Sequence, residues 1–188
     1  MSARGDERAG VESGGGREYA PLLSAARAAV ARGAMSRTEA MALCCDLVWD
    51  AFGLESTGPS TGGFAKVSWV GFYEKATDAD EMILVVRRDK PACSPIGLHG
   101  ACGRSWTEQR VLVIPDVSTL GAGYIACDPN DKAELVLPMF DDRGCWGVLD
   151  VDSFDVGAFA QHDARGMAAL CERLGLSRQT LRGGAVVL

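Results

Sequence analysis

The sequence predicts an α+β domain in which a mostly antiparallel sheet is flanked by helices. Two helix-like segments come first, about five strand-like segments follow, and one helix-like segment ends the pattern. Because no helical segment separates successive strands, this order fits an antiparallel sheet better than a doubly wound parallel one. The length of 188 residues and the 47% of hydrophobic residues allow one domain with a packed core.

Two helices are indicated near the start of the chain by apolar residues at helical spacing. The first covers residues 19–30. The second opens at Ser36, which is followed three residues later by Glu39 in the pattern of a capping box. The apolar stripe of this second helix contains Cys44, so we expect that cysteine in the core.

The strand candidates are rich in β-branched and aromatic residues and are separated by loops. They are residues 66–74, 81–87, 110–114, 134–139 and 145–151. A last helix presents an apolar face from residue 159 to residue 174 and ends near Gly175. We therefore expect a disordered tail over residues 1–18, one domain over residues 19–176, and a C-terminal tail over residues 177–188.

Charge and hydropathy exclude several classes of partner. The formal net charge is −6 and there is no cluster of Lys and Arg, which argues against binding nucleic acid or a membrane surface. No apolar run is long enough to span a membrane, and the polar N-terminal segment does not resemble a signal peptide. We therefore expect a cytoplasmic protein whose thiols serve packing, metal binding or redox chemistry.

The seven cysteines divide by their surroundings. Packing explains those on or beside a helical stripe and the one next to a tryptophan at the start of a strand. These are Cys44, Cys45, Cys171 and Cys145. The other three, Cys93, Cys102 and Cys127, lie in predicted loops marked by Gly, Pro or Asp. Loops are where reactive groups are often placed, so these three are the candidates for chemistry.

Carboxylates and aromatic residues form a second pattern. Alternation along a strand puts Asp150 and Asp152 on one face with their Cα atoms about 6.5–7 Å apart. They are either solvated at a strand end or paired with a cation such as the ammonium group of a small ligand. Trp69 and Tyr73 likewise share a strand face, either as core or as an aromatic box. Glu134 is either a surface residue or a third acidic wall of that box.

A metal site is a competing hypothesis. Cys93, His99, Cys102 and Cys127 are the types of ligand that zinc prefers. However, no C-x₂-C pair occurs in the chain, so the spacing gives this hypothesis little support. The sequence also lacks a Walker loop, a G-x-G-x-x-G motif and a G-x-S-x-G elbow.

Several short segments together resemble the GAF-domain free methionine-(R)-sulfoxide reductases over roughly residues 19–176. They are residues 68–73, 90–93, 100–103, 115–117, 125–128, 133–138 and 147–153. The three loop cysteines and the Leu-Asp-Val-Asp-Ser run are specific to that family. The resemblance implies a six-stranded antiparallel sheet flanked by helices. The segment over residues 86–89 and a shorter loop between Cys93 and Cys102 depart from the family pattern.

The resemblance also implies roles for the cysteines. Cys127 is expected to attack the sulfoxide sulfur, and Cys93 and Cys102 to form the resolving set, although the order of Cys127 and Cys102 stays open. The disulfide is expected to pass to thioredoxin, an external thiol reductant, so no resident cofactor or metal is predicted. Members of this family are often dimers, which makes a homodimer an expectation.

The same resemblance assigns the ligand pocket. Glu134, Asp150 and Asp152 are expected to hold the amino group and the sulfoxide, with Glu134 or an aspartate as the acid that protonates the leaving oxygen. Trp69 and Tyr73 are expected to wall the methyl end. The alternative function is a GAF module that senses a small ligand without turnover.

Overall fold

A seven-stranded sheet organises the chain in the computed structural model, which describes residues 16–56, 64–121 and 128–188. The helices are α1 (Ala20–Ala31), α2 (Arg37–Phe52), α3 (Ala101–Glu108) and α4 (Gln161–Arg173), with a short 3₁₀ helix at Val117–Leu120. The strands are β1 (Trp69–Lys75), β2 (Glu81–Arg88), β3 (Ile96–Gly97), β4 (Val111–Ile114), β5 (Ala133–Asp141), β6 (Gly144–Ser153) and β7 (Ala185–Val187). None of these helices is both long and apolar enough for a membrane span.

The strand order is β3-β2-β1-β6-β5-β4-β7. Every neighbouring pair is antiparallel except β4 and β7, which run parallel. The predicted α+β class with a mostly antiparallel sheet is therefore confirmed, with seven strands instead of about six. The strands that carry most candidate site residues, β1, β6 and β5, lie side by side in the middle of the sheet.

The two faces of the sheet are covered differently. The larger core packs α1, α2 and α4 on one face, and it contains Cys44, Cys45 and Cys171, all fully buried as expected for structural cysteines. The capping box predicted at Ser36 is present, with Glu39 as its second member. The smaller core on the other face includes residues of α3 together with Trp69 and Tyr73. The candidate site therefore lies on the face that is covered by a short helix and loops.

Residues on both sides of the predicted domain over residues 19–176 also take part in the fold. Residues 1–15 of the predicted N-terminal tail lie outside the described residues, but Arg17 within it is buried. At the other end, the segment predicted as a tail over residues 177–188 contains β7, and Ser177 and Thr180 are buried. A strand of three residues is too short to show a recognisable sequence pattern. β7 is part of the sheet through its pairing with β4.

Arg17 is buried because the fold pairs its charge. Its Nη1 atom lies 3.1 Å from an Asp163 carboxylate oxygen and donates to the Ala158 carbonyl at 2.8 Å. The guanidinium also lies over the ring of Phe159, at 4.9 Å from the centroid. The hydroxyl of Tyr19 donates to the same Asp163 oxygen at 2.9 Å. This network joins the N-terminal segment to the start of α4.

We predict that Asp163→Ala lowers the free energy of unfolding by about 3–5 kcal/mol, because it leaves the Arg17 charge buried without its partner. The measurement is urea denaturation at neutral pH. Ser36→Ala is the matched control, since it removes an exposed helix cap and should cost about 1 kcal/mol. Equal losses in the two variants would contradict a structural role for the buried pair.

Candidate active site

The register of the central strands brings the predicted carboxylates together. Asp152 on β6 lies opposite Trp69 on β1 and opposite Glu134 on β5. Asp150, two residues earlier and therefore on the same face, lies opposite Gly71 on β1. The predicted shared face of Asp150 and Asp152 is thus present, and Glu134 belongs to the same surface.

Gly71 leaves room for the indole ring of Trp69. A Cβ atom built on Gly71 would lie 2.2 Å from the Cη2 atom of Trp69, so the indole ring lies directly over this glycine. The ring centroid of Trp69 is 6.0 Å from that of Tyr73, which places both aromatic side chains over one part of the sheet. The absence of a side chain at position 71 thus makes room for the aromatic wall beside Asp150.

Two cavities adjoin these residues. The larger has a volume of about 180 Å³ and is lined by Cys93, Cys102, Glu134, Asp150 and Asp152, among others. The smaller has a volume of about 80 Å³. Trp69, Tyr73, Lys90 and Asp128 line it, and it shares the two aspartates of β6 with the larger one. An acidic space and an aromatic space therefore meet at Asp150 and Asp152.

The carboxyl groups are buried, which changes their acidity. Glu134, Asp150 and Asp152 are only 5–7% exposed. Burial raises the pKa of Asp150 to about 7, and the charge of Asp131 adds to that effect, while hydrogen bonds with Cys102 and Glu134 oppose it. Asp150 can therefore hold or release a proton near neutral pH.

Asp131 is a site residue that the sequence interpretation missed. It is 6% exposed, lines both cavities and accepts a hydrogen bond from the Ser68 hydroxyl at 3.0 Å. Burial raises the pKa of its carboxyl group above the usual value. In the sequence it follows Asp128, Pro129 and Asn130 and so has the pattern of a solvated turn. No local signal distinguishes it from a surface aspartate.

The three candidate cysteines have different settings. Cys93 is exposed in the segment between β2 and β3, as predicted for a loop cysteine. Cys102 is not in a loop, because it lies in the first turn of α3 and is 5% exposed. The loop was predicted from Gly100 and Gly103, but Gly103 instead lets α3 pack against the backbone of Leu98. Cys127 lies outside the described residues.

The acidic surroundings determine the state of the Cys102 thiol. Burial raises its pKa well above the usual range, and the nearby charges of Asp150 and Glu134 raise it further. A thiol is a poor nucleophile compared with a thiolate. Burial and the neighbouring carboxyl groups therefore favour the thiol form of Cys102 over the thiolate.

The aromatic residues also anchor the segment that carries Cys93. The indole Nε1 of Trp69 donates to the Lys90 carbonyl at 2.9 Å, and the Tyr73 hydroxyl donates to the Cys93 carbonyl at 3.0 Å. The Lys90 ammonium forms an ion pair with Asp128. These contacts hold Cys93 at the edge of the larger cavity.

Three of the zinc ligands predicted from the sequence, Cys93, His99 and Cys102, line the larger cavity. Within the described part of the chain, however, the ligand atoms that lie close to one another belong to Cys102, Glu134 and Asp150. Cys127, the other predicted ligand, is outside the described residues.

Comparisons with known proteins identify the domain family. Residues 17–177 match the GAF domain model. The chain is 36% identical over 110 residues to the free methionine-R-sulfoxide reductase of Escherichia coli, covering 57% of this chain and 64% of that protein. The corresponding yeast enzyme, from Saccharomyces cerevisiae, is 32% identical over 114 residues, covering 59% and 63%. The match thus spans less than two thirds of the length of either relative.

Solved structures give longer matches. A free methionine-R-sulfoxide reductase from Neisseria meningitidis, solved with its substrate, is 30% identical with a TM-score of 0.67, covering 86% of this chain and 90% of that one. The reduced form of fRMsr from Staphylococcus aureus is 28% identical with a TM-score of 0.71, covering 85% and 94%. The chain belongs to the GAF domain family, and the relatives that it resembles there include the free methionine-R-sulfoxide reductases.

Proposed function

We propose that this protein reduces free methionine-(R)-sulfoxide to methionine through its cysteine thiols. The observation that carries the proposal is the larger cavity, where buried carboxyl groups and the side chains of Cys93 and Cys102 face one small space. The relatives named as free methionine-R-sulfoxide reductases support the same activity.

The acidic wall favours a free amino acid over a peptide. The ammonium group of an amino acid would pair with Asp152, Glu134 or Asp150, all of which are buried. A peptide-bound methionine sulfoxide carries a neutral amide at that position and would leave these carboxylates without a counter-charge. Sites built around a polar group discriminate strongly against ligands that lack it. The methyl end of the substrate is then directed toward Trp69 and Tyr73.

The proposed chemistry needs a thiolate and an acid. A thiolate attacks the sulfoxide sulfur and the oxygen takes up a proton, so that a bond joins the cysteine and methionine sulfur atoms. The hydroxyl then transfers to the cysteine sulfur while that sulfur–sulfur bond and the methionine sulfur–oxygen bond break, and the products are methionine and a cysteine sulfenic acid. A second thiol then condenses with the sulfenic acid to give a disulfide and water. Asp150, with a pKa of about 7, is suited to supply the proton.

The raised pKa of Cys102 bears on which thiol attacks the sulfoxide and which thiols resolve the sulfenic acid. A buried thiol held protonated by neighbouring carboxyl groups is a poor attacking group. We therefore assign attack to Cys127, whose chain neighbour Asp128 lines the smaller cavity, and resolution to Cys93 and Cys102. Because Cys93 is exposed, a disulfide that includes it is accessible to a dithiol protein such as thioredoxin.

We predict NADPH consumption when the reduced protein is incubated with free methionine-(R)-sulfoxide, thioredoxin and thioredoxin reductase. The S diastereomer and a peptide containing methionine sulfoxide should give background rates. Binding of the R form without NADPH consumption would contradict the proposal and favour the sensor alternative.

Cysteine variants in the same assay test which thiol attacks the sulfoxide. Cys127→Ser should abolish turnover, because it removes the attacking group. Cys145→Ser is the matched control, since Cys145 lies at the start of β6, away from the cavities, and its variant should keep wild-type activity. Full activity in Cys127→Ser would overturn the assigned role.

We predict that the stability of the wild-type protein falls between about pH 4 and pH 7 because of Asp150. The folded-state pKa of about 7 is above that of the unfolded chain, so the native state binds more protons in this interval and loses that advantage as pH rises. Asp150→Asn does not titrate. As the pH rises from 5 to 8, the free energy of unfolding of Asp150→Asn should therefore increase relative to that of the wild type by up to a few kcal/mol.

Urea denaturation of both proteins at pH 5, 6, 7 and 8 measures this difference. Asp142→Asn is the control, because Asp142 is exposed and should leave the pH dependence unchanged. Parallel curves for the wild type and Asp150→Asn would rule out a raised pKa at Asp150.

We predict that Tyr73→Phe lowers kcat several-fold with little change in KM. The variant keeps the aromatic ring that walls the pocket but removes the hydrogen bond to the Cys93 carbonyl. Looser positioning of Cys93 should slow disulfide formation more than substrate binding. Steady-state kinetics in the thioredoxin assay measure both constants, and a rise in KM alone would show that the hydroxyl matters for binding and not for resolution.

A further inference from the structure

Three ligand atoms from three different elements converge beside the larger cavity. They belong to Cys102 on α3, Glu134 on β5 and Asp150 on β6. All three atoms lie within 4.8 Å of one another, and all three residues are buried. Because the elements are held by the sheet and its covering helix, this arrangement is part of the fold.

The Oδ1 atom of Asp150 gives an independent indication of a ligand. It is buried and has no hydrogen-bond partner, although Asp150 is bonded to Cys102 and Glu134 through its side chain. A buried carboxylate oxygen without a partner is costly, and a cation removes that cost. Asp150 lines the larger cavity, so there is space beside it for an ion and a water molecule.

The donor set selects the kind of cation. One thiolate and two carboxylates suit Zn²⁺, which takes sulfur at about 2.3 Å and oxygen at about 2.0–2.2 Å in a tetrahedral shell. Ligand atoms of such a shell lie about 3.5 Å apart, so the present separations require movements of only about 1 Å. Mg²⁺ prefers six oxygen ligands and is disfavoured by the sulfur.

We propose that the reduced protein binds one Zn²⁺ ion through Cys102, Glu134 and Asp150, with water from the cavity as the fourth ligand. Binding breaks the S–H bond of Cys102 and the O–H bond of the proton held between Asp150 and Glu134, bonds form from zinc to the sulfur and to the two carboxylates, and both protons pass to solvent; no electrons are transferred. The site needs neither Cys93 nor His99, which belong to the set of zinc ligands that residue type suggested. The proposal is independent of the reductase activity, because it concerns the protein without substrate.

The experiment titrates the full-length, reduced protein with Cd²⁺, a zinc analogue whose bond to a thiolate gives an ultraviolet charge-transfer band. Zn²⁺ affinity is then measured by competition against a chromophoric chelator. We expect one ion per chain and a cadmium–thiolate band. We also expect at least a tenfold weaker Zn²⁺ affinity in both Cys102→Ala and Glu134→Gln, with no band in Cys102→Ala. Mg²⁺ should not compete.

Matched controls separate this site from other thiols. Cys93→Ala removes a thiol from the same cavity and Cys145→Ala a half-buried thiol elsewhere, and both should keep wild-type affinity and the band. Circular dichroism establishes that each variant is folded. Absence of binding in the wild type, a band that survives in a folded Cys102→Ala protein, or a loss of affinity in Cys93→Ala equal to that in Cys102→Ala would overturn the proposal. None of these outcomes bears on the thioredoxin assay.

Discussion

The burial of several carboxyl groups on one sheet face is the constraint on which the rest of the structure depends. Asp131, Glu134, Asp150 and Asp152 are each at most 7% exposed. Removing like charges from water is unfavourable unless protons, hydrogen bonds or cations compensate. The raised pKa of Asp150, its hydrogen bond with Glu134 and the hydroxyl of Ser68 on Asp131 each provide part of that compensation. The acidic surface therefore favours the binding of positively charged ligands.

The asymmetry of the sheet makes this burial tolerable. The larger core, with three helices on the opposite face, supplies most of the apolar burial and does not depend on the acidic surface. The site face is covered by α3 and by the segment that carries Cys93, which is tied down by hydrogen bonds from Trp69 and Tyr73. These two aromatic residues therefore do more than wall a pocket, because their polar ends also hold the chain that closes it. A sheet with one stable face can keep an electrostatically costly site on the other.

Local patterns in the sequence predicted the features that local physics controls. The capping box at Ser36 formed because a side chain and a backbone amide three residues apart satisfy each other, and the shared face of Asp150 and Asp152 follows from the two-residue period of a strand. Burial of Cys44 and Cys171 follows in the same way from helical spacing. These inferences need no knowledge of which strands are neighbours.

Features that depend on neighbouring elements were beyond that reasoning. The register that sets Glu134 opposite Asp152 is a property of strand pairing, and the space over Gly71 is visible only once Trp69 is in place. Asp131 resembles a turn residue until the fold buries it, and α3 covers only the eight residues Ala101–Glu108, with Gly100 before it and Gly103 within it, both typical of a loop. The ligand atoms of Cys102, Glu134 and Asp150 likewise come from three elements, so their convergence is not visible along the chain.

The position of Cys102 shows why thiol chemistry and cation binding belong to one piece of the structure. Burial and the carboxyl groups around it raise the pKa of its thiol. Any event that brings positive charge next to Asp150 and Glu134 reduces the repulsion that a thiolate would meet there, and so makes ionisation of Cys102 easier. The ammonium group of an amino acid and a divalent metal ion both do this, but only the metal also bonds to the sulfur. The same electrostatic arrangement would therefore prepare the thiol when substrate is present and capture it when zinc is present instead.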